Sequence, residues 1–155
     1  MAKEIERKFL VASDSWRHGA TGSARYLQGY LANGARSSVR IRVDGDHAWL
    51  NIKSATLDIE RLEYEYAVPL ADGEEMLARL CEGRLVEKRR WFVPHEGKTW
   101  EVDVFEGENE GLVVAEIELD SADEEFVRPP WLGEEVSHDS RYYNVWLARN
   151  PYTTW

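Results

Sequence analysis

The 155-residue sequence has one cysteine, Cys81, and therefore no intrachain disulfide. No stretch approaches the roughly 18 to 20 apolar residues needed to cross a bilayer. The opening Met-Ala-Lys-Glu-Ile-Glu-Arg-Lys lacks the apolar centre of a secretory signal, so a cytoplasmic protein is expected. There is no G-x-x-x-x-G-K-[ST] phosphate loop and no G-x-S-x-G elbow, which removes the common nucleotide-cradling and serine-hydrolase readings. His18, His47, His95 and His138 show no zinc-ligand spacing and are expected at the surface. Basic residues are few, 19 Lys and Arg against 29 Asp and Glu, and the net charge of −10 argues against DNA or RNA as a partner. No repeat, linker or low-complexity tract divides the chain. With 43% hydrophobic residues, seven Trp and seven Tyr, it reads as one folded domain over residues 1–155, the Trp side chains serving packing.

What the chain does have is charge placed at every second position. Glu4, Glu6 and Lys8 alternate with Ile5, Arg7 and Phe9, and Arg40 and Arg42 with Val39, Ile41 and Val43. Glu63 and Glu65 alternate with Leu62, Tyr64 and Tyr66, and Glu116 and Glu118 with Ala115, Ile117 and Leu119. Similar sets occur at Asn51 and Lys53, Lys88 and Arg90, and Glu101 and Asp103. Neighbouring side chains of a strand point to opposite faces, so each set gives a strand one apolar and one charged side. On a single strand this is the ordinary pattern of a solvated sheet. Across seven or eight strands, a face of Lys, Arg, Glu and Asp with little Ser, Thr or Gln points instead to a closed barrel with its charges inside. Such an interior must be wet, ion-paired and built around bound ions. Carboxylates there suit a hard divalent metal, and Arg and Lys suit a polyanion, so a metal-bound oligophosphate is the natural guest.

Strands are expected near 3–11, 24–32, 37–43, 46–53, 60–68, 85–93, 99–106 and 112–119, with a tight hairpin at Asp44-Gly45-Asp46. Residues 71–82 carry helical spacing in Met76, Leu77 and Leu80, behind an acidic start. A short capped helix is expected at 121–126, a rigid break at Arg128-Pro129-Pro130-Trp131, and a C-terminal helix over 139–149.

The ordered segments resemble a known family. Glu4-Ile5-Glu6-Arg7-Lys8 matches the ExExK signature of the CYTH superfamily, the triphosphate tunnel metalloenzymes. It is followed in order by Gln28-Gly29-Tyr30-Leu31, Val39-Arg40-Ile41-Arg42, Ile52-Lys53-Ser54, Glu63-Tyr64-Glu65, Val86-Glu87-Lys88, Glu101-Val102-Asp103-Val104-Phe105, Glu116-Ile117-Glu118 and the stretch from Pro129 to Val136. The resemblance spans residues 4 to about 144. It implies an α+β fold, an eight-stranded antiparallel barrel with a few peripheral helices and a C-terminal helix.

It also implies hydrolysis of inorganic tripolyphosphate or a related triphosphate with Mg2+ or Mn2+. By this resemblance Glu4, Glu6, Glu116 and Glu118, with Asp103 nearby, hold the metal, and Lys8, Arg40, Arg42, Lys53, Lys88 and Arg90 grip the phosphates. Glu63, Glu65 or Tyr30 orients the attacking water or takes its proton, and Lys88 supports the chemistry. Arg141-Tyr142-Tyr143-Asn144 matches a segment that closes one tunnel end, although a basic residue is common where Tyr143 stands. A homodimer is also implied. Three other readings stay open: a class IV adenylate cyclase, a thiamine triphosphatase, and a non-catalytic oligophosphate-binding barrel.

Overall fold

The computed structural model describes residues 2–155. Nine strands form the scaffold: β1 (Lys3–Val11), β2 (Gly22–Asn33), β3 (Ser37–Asp44), β4 (His47–Ser54), β5 (Glu60–Val68), β6 (Glu82–His95), β7 (Lys98–Phe105), β8 (Val113–Glu118) and β9 (Leu132–Glu135). All pairings are antiparallel, in the order β5-β4-β3-β2-β6-β7-β8-β1-β9. An additional β1–β5 pairing, with Glu4 opposite Arg61, closes β1 to β8 into an eight-stranded barrel. β1 can serve three neighbours because its first half pairs with β5 and its last part with β9, while β8 holds the other edge. Closure leaves no free edge in the barrel wall.

Because the inner rows are mostly charged or polar, the main apolar core lies outside the wall. Ile5, Phe9, Trp16, Trp100, Val102, Ala115, Ile117 and Trp131 form the main buried cluster on the outer faces of β1, β6, β7 and β8. A 3-10 turn at Asp14–Gly19 supplies Trp16, and the chain between β8 and β9 supplies Phe126 and Trp131. Trp100 meets Phe9 and Phe126 at 5.6 Å and Trp131 at 5.7 Å, all edge to face. A second cluster, Tyr30, Val86, Phe105, Leu112, Val114, Leu147 and Ala148, shares the inner strand faces with the charged rows and seats the C-terminal segment on the barrel.

Helix α1 (Leu70–Arg79) covers β3 and β4, where Gly73 permits an approach so close that a Cβ would sit 2.4 Å from Ala48 Cβ. The eight expected strands are present, and β6 begins three residues earlier than its alternation indicated, with Gly83 (φ 71°) as its second residue.

Three helical expectations are corrected. The helix placed at 71–82 ends at Arg79. The segment 121–126 is a turn, because Glu124 accepts from Asp120 N at 2.6 Å and pairs with Lys98, leaving no run of helical bonds. The helix placed at 139–149 is broken into a 3-10 turn (Ser140–Tyr142) and one short helix, α2 (Asn144–Leu147). Tyr143 interrupts it with extended backbone (φ −87°, ψ 140°) while its hydroxyl donates to Ser137 O at 2.6 Å. β9 was not foreseen as a strand.

Candidate active site

The lumen holds a cavity of about 240 Å3 walled almost entirely by polar side chains. β1 contributes Glu4, Glu6 and Lys8; β2 Tyr30; β3 Arg40 and Arg42; β4 Lys53; β5 Glu63 and Glu65; β6 Lys88 and Arg90; β8 Glu116 and Glu118. The period-2 alternation therefore brings every anticipated site residue but one to a common space. Tyr30 stands at a register shift of β2 against both β3 and β6, a bulge that turns its side chain toward the second apolar cluster as well as the lumen.

The exception is Asp103. It is fully buried and does not line the cavity; Arg90 Nε reaches its Oδ1 at 2.8 Å, and Arg90 Nη2 and Lys88 Nζ reach its Oδ2 at 3.0 and 2.7 Å. Among the carboxylates expected to hold the metal, Asp103 alone lies off the cavity lining, with both its oxygens engaged by Arg90 and Lys88. Reading Glu101 and Asp103 as one charged row identified the face but not which carboxylate the neighbouring cations would absorb.

The remaining charges form a web. Lys8 Nζ donates to Glu116 Oε1 at 3.0 Å, and Arg90 Nη2 lies 3.5 Å from Glu116 Oε2. Lys53 Nζ lies 3.2 Å from Glu4 and 3.4 Å from Glu63, while Asn51 donates to Glu63 at 2.9 Å and Glu65 at 3.1 Å. Arg90 Nη1 donates to Glu101 at 2.6 Å. These pairs set the protonation states.

Burial would raise the Glu116 carboxyl, but Lys8, Arg90 and Lys88 outweigh it and hold the group well below the usual carboxylate range. Burial, followed by the charges of Glu116 and Glu4, pushes Glu6 well above that range. Glu118 is pushed up by burial and by Glu4 and Glu63. Glu63 is held low: Lys53 and the Asn51 hydrogen bond overcome its burial. Burial brings Lys88 down to about 8 despite Asp103, with Arg90 adding to the effect.

The carboxylates fit a hard cation in chemistry. Glu4, Glu6, Glu116 and Glu118 offer oxygen alone, two of them carry carboxyl groups raised by burial and then by neighbouring carboxylates, and Glu4 Oε2 is buried with an ion-pair contact to Lys53 but no hydrogen bond. Among the described residues no three such groups already stand at ligand spacing. Lysines and arginines hold the carboxylates apart from one another, so a divalent ion would take over the neutralising role that Lys8 and Lys53 fill here.

Several lining residues carried no assigned role, namely Tyr26, Gln28, Asn51, Arg61 and Glu101, while Tyr143 and Asn144 belong to the segment expected to close one tunnel end. Parity with Tyr30, Lys53, Glu63 and Asp103 was the available signal for the first five. Tyr26 lies between the guanidinium groups of Arg42 and Arg90, at 4.5 and 5.2 Å. Tyr143 and Asn144 come from the C-terminal segment. The Tyr143 ring receives Lys8 at 4.8 Å and Arg61 at 5.1 Å, and Asn144 Oδ1 accepts from Gln28 at 2.6 Å and Lys88 at 3.0 Å. The four histidines take no part in the lining; His18, His47 and His138 are exposed and His95 is half-buried.

An inorganic triphosphatase of Acetivibrio thermocellus is 48% identical over 152 residues, covering 98% of this chain and 97% of that protein. One of Nitrosomonas europaea is 40% identical over 150 residues, covering 94% of this chain and 96% of that protein. A solved crystal structure of an inorganic triphosphatase superposes with a TM-score of 0.69 at 38% identity, covering 96% of this chain and 95% of that one. Residues 2–144 match the family model of the CYTH domain. A barrel whose inner wall is built from this charged array, and a match over nearly its whole length, agree that the chain belongs to the CYTH domain family.

Proposed function

We propose that this protein is a metal-dependent triphosphatase that hydrolyses inorganic tripolyphosphate, using Mg2+ or Mn2+. The carrying observation is that one cavity of about 240 Å3 is faced by six of its cations and four of its carboxylates at once, Lys8, Arg40, Arg42, Lys53, Lys88, Arg90 and Glu4, Glu6, Glu116, Glu118. The cavity suits a compact triphosphate better than a bulky organic one. Nucleoside and thiamine triphosphates are accordingly weaker substrates in this reading, and no lumen group is identified that would read a nucleobase for cyclisation.

Phosphoryl transfer asks little covalent work of a protein beyond positioning and charge neutralisation. Arg40, Arg42 and Arg90 supply planar forks to phosphate oxygens, and Lys8, Lys53 and Lys88 supply point charges where negative charge grows on the leaving group. Glu4, Glu6, Glu116 and Glu118 are the groups that would hold the metal, which lowers the pKa of bound water and neutralises phosphate charge. Water oxygen attacks the terminal phosphorus, the bond to the bridging oxygen breaks, and diphosphate and phosphate leave. Glu63 and Glu65, fixed by Asn51, orient the water; Glu63 is ionised by virtue of Lys53, so it accepts a hydrogen bond from the nucleophile. Tyr30 contributes a hydroxyl to the same space.

Phosphate release from tripolyphosphate with added Mg2+ or Mn2+ tests this reading. Turnover by wild type and its loss in Glu4→Ala and Lys88→Ala support it; tripolyphosphate binding without turnover favours a non-catalytic barrel.

Two further statements belong to the reading. The outer row of β5, Leu62, Tyr64 and Tyr66, is exposed at 52, 44 and 55% and is the surface on which two copies would pair. Light scattering on Tyr66→Glu should show monomer where wild type shows dimer. The single unpaired cysteine suits a reducing cytoplasm, and the acidic surface disfavours nucleic acid. Among the described residues no helix is long and apolar enough to cross a membrane.

A further inference from the structure

On the inner face of β7, but off the cavity surface, one carboxylate is bound by three donors from two cations that themselves face the cavity. Asp103 stands opposite Arg90 in the β6–β7 register and is 0% exposed. Arg90 grips it through both arms of a planar fork, Nε to Oδ1 at 2.8 Å and Nη2 to Oδ2 at 3.0 Å. Lys88, two residues away on the same face, reaches Oδ2 at 2.7 Å. Lys88 also donates to Asn144 Oδ1 at 3.0 Å, so two of its three protons are committed and its direction is fixed. Arg90 is held from its remaining side by Glu101. Without the shared carboxylate, two like charges on one strand face would repel and part.

We propose that Asp103 is a positioning residue for phosphoryl transfer: it clamps Lys88 and Arg90 side by side at a fixed reach into the lumen, and it does not ligate the metal. The inference rests on the triphosphatase reading for its catalytic meaning, while the clamp itself is geometric. Asp103 has no surface on the cavity and three of its roughly four acceptor sites are taken by Arg90 and Lys88, whereas Glu4, Glu6, Glu116 and Glu118 face the lumen. Its effect on turnover passes through Lys88 and Arg90, and a misplacement of about 1 Å in such groups costs on the order of 100-fold in rate.

The groups facing Lys88 are Asp103 from β7, Arg90 from its own strand, Glu116 from β8, Asn144 from α2 and the Phe105 ring at 5.5 Å. Removing the Asp103 charge takes away the strongest attraction on the ammonium, so the alkaline limb of the rate profile moves to lower pH.

The test uses the full chain and two readouts. Tripolyphosphate hydrolysis is followed from pH 6 to 10 for wild type, Asp103→Asn and Asp103→Glu, and binding of Mn2+ alone is measured for each by calorimetry. The clamp predicts that Asp103→Asn loses about 100-fold in kcat/KM with its alkaline limb shifted down, while the Kd for Mn2+ stays within about threefold of wild type. A fall in Mn2+ affinity that tracks the fall in activity would make Asp103 a ligand and overturn the proposal, as would an unchanged kcat/KM and pH limb. Should Asp103→Asn fail to fold, Lys88→Met is added to remove the unpaired ammonium; the double variant is expected to fold and keep Mn2+ affinity, and loss of that affinity overturns the clamp. If wild type binds tripolyphosphate without turning it over, the triphosphatase reading fails, and the clamp is judged on tripolyphosphate affinity, expected to drop in Asp103→Asn and refuted if it does not.

Discussion

At the scale of single residues, Lys88 is the group whose charge matters most near physiological pH. Burial lowers it to about 8, so its ammonium, present at pH 7, is lost as the pH rises through that value. We expect kcat/KM for tripolyphosphate to fall on the alkaline side with an apparent pKa near 8, and a profile flat to pH 10 would contradict this. The linkage has the opposite sign for stability. The folded value lies below the unfolded one, so this group weakens the fold below about pH 8 and that penalty is relieved toward the unfolded value of 10.5. Glu116 gives a second prediction. Glu116→Gln leaves Lys8 without its ion partner and withdraws an oxygen from the carboxylate group; tripolyphosphate hydrolysis should drop by on the order of 100-fold or more, with weakened Mn2+ binding.

Residue identity was largely readable because strand parity leaves no freedom about which side chains share a face. Glu4, Glu6, Lys8, Arg40, Arg42, Lys53, Lys88 and Arg90 all emerge on the lumen side, as alternation required. Parity does not tell depth. Asp103 belongs to the charged row yet sinks behind it, since Arg90 opposite it in the register and Lys88 close by are near enough to consume it. That outcome depends on inter-strand register, which one strand's sequence does not contain.

At the scale of elements, β-strands were located well and helices poorly. The strands carry long alternating runs, whereas α2 is four residues long and owes its existence to tertiary contacts of Tyr143, Asn144 and Leu147. β9 was missed for the same reason: its four residues, Leu132–Glu135, become a strand by pairing with the last part of β1, not by any pattern of their own.

Helix α1 makes a direct test of element packing. Gly73→Ala gains about 1 kcal/mol of helix propensity but drives a methyl against Ala48, an overpacking that costs about 1 to 3 kcal/mol. The steric cost wins, so the urea midpoint should fall by the equivalent of about 1 kcal/mol; a rise would show that α1 can slide on β3 and β4. The outer core is less forgiving. Trp100, fully buried among Phe9, Phe126 and Trp131, should cost about 3 to 5 kcal/mol when truncated to Ala.

On the scale of the whole molecule, the fold turns the usual arrangement inside out: the charged side of the sheet is enclosed, and the apolar side is covered from without by the 14–19 turn, α1 and the chain leading to β9. Stability and chemistry are thereby separated. The apolar clusters do not depend on a bound ion, so a chelator should stop turnover while far-UV circular dichroism stays unchanged, and tripolyphosphate with Mg2+ should raise the melting temperature by mass action. Unfolding on chelation would contradict that separation. The closed barrel was legible from eight alternating segments, but not which strands meet at its seam, since the β1–β5 pairing joins distant parts of the chain, with Lys3 facing Leu62 and Ile5 facing Glu60.

The most direct test of the central claim, that enclosed cations and carboxylates act together on a triphosphate, is phosphate release from tripolyphosphate measured with Mg2+ or Mn2+ and again with chelator. The account predicts turnover with the metal, none with the chelator, and none in Glu4→Ala. Release that ignores the chelator, or a wild-type chain that releases no phosphate with either ion, would contradict it.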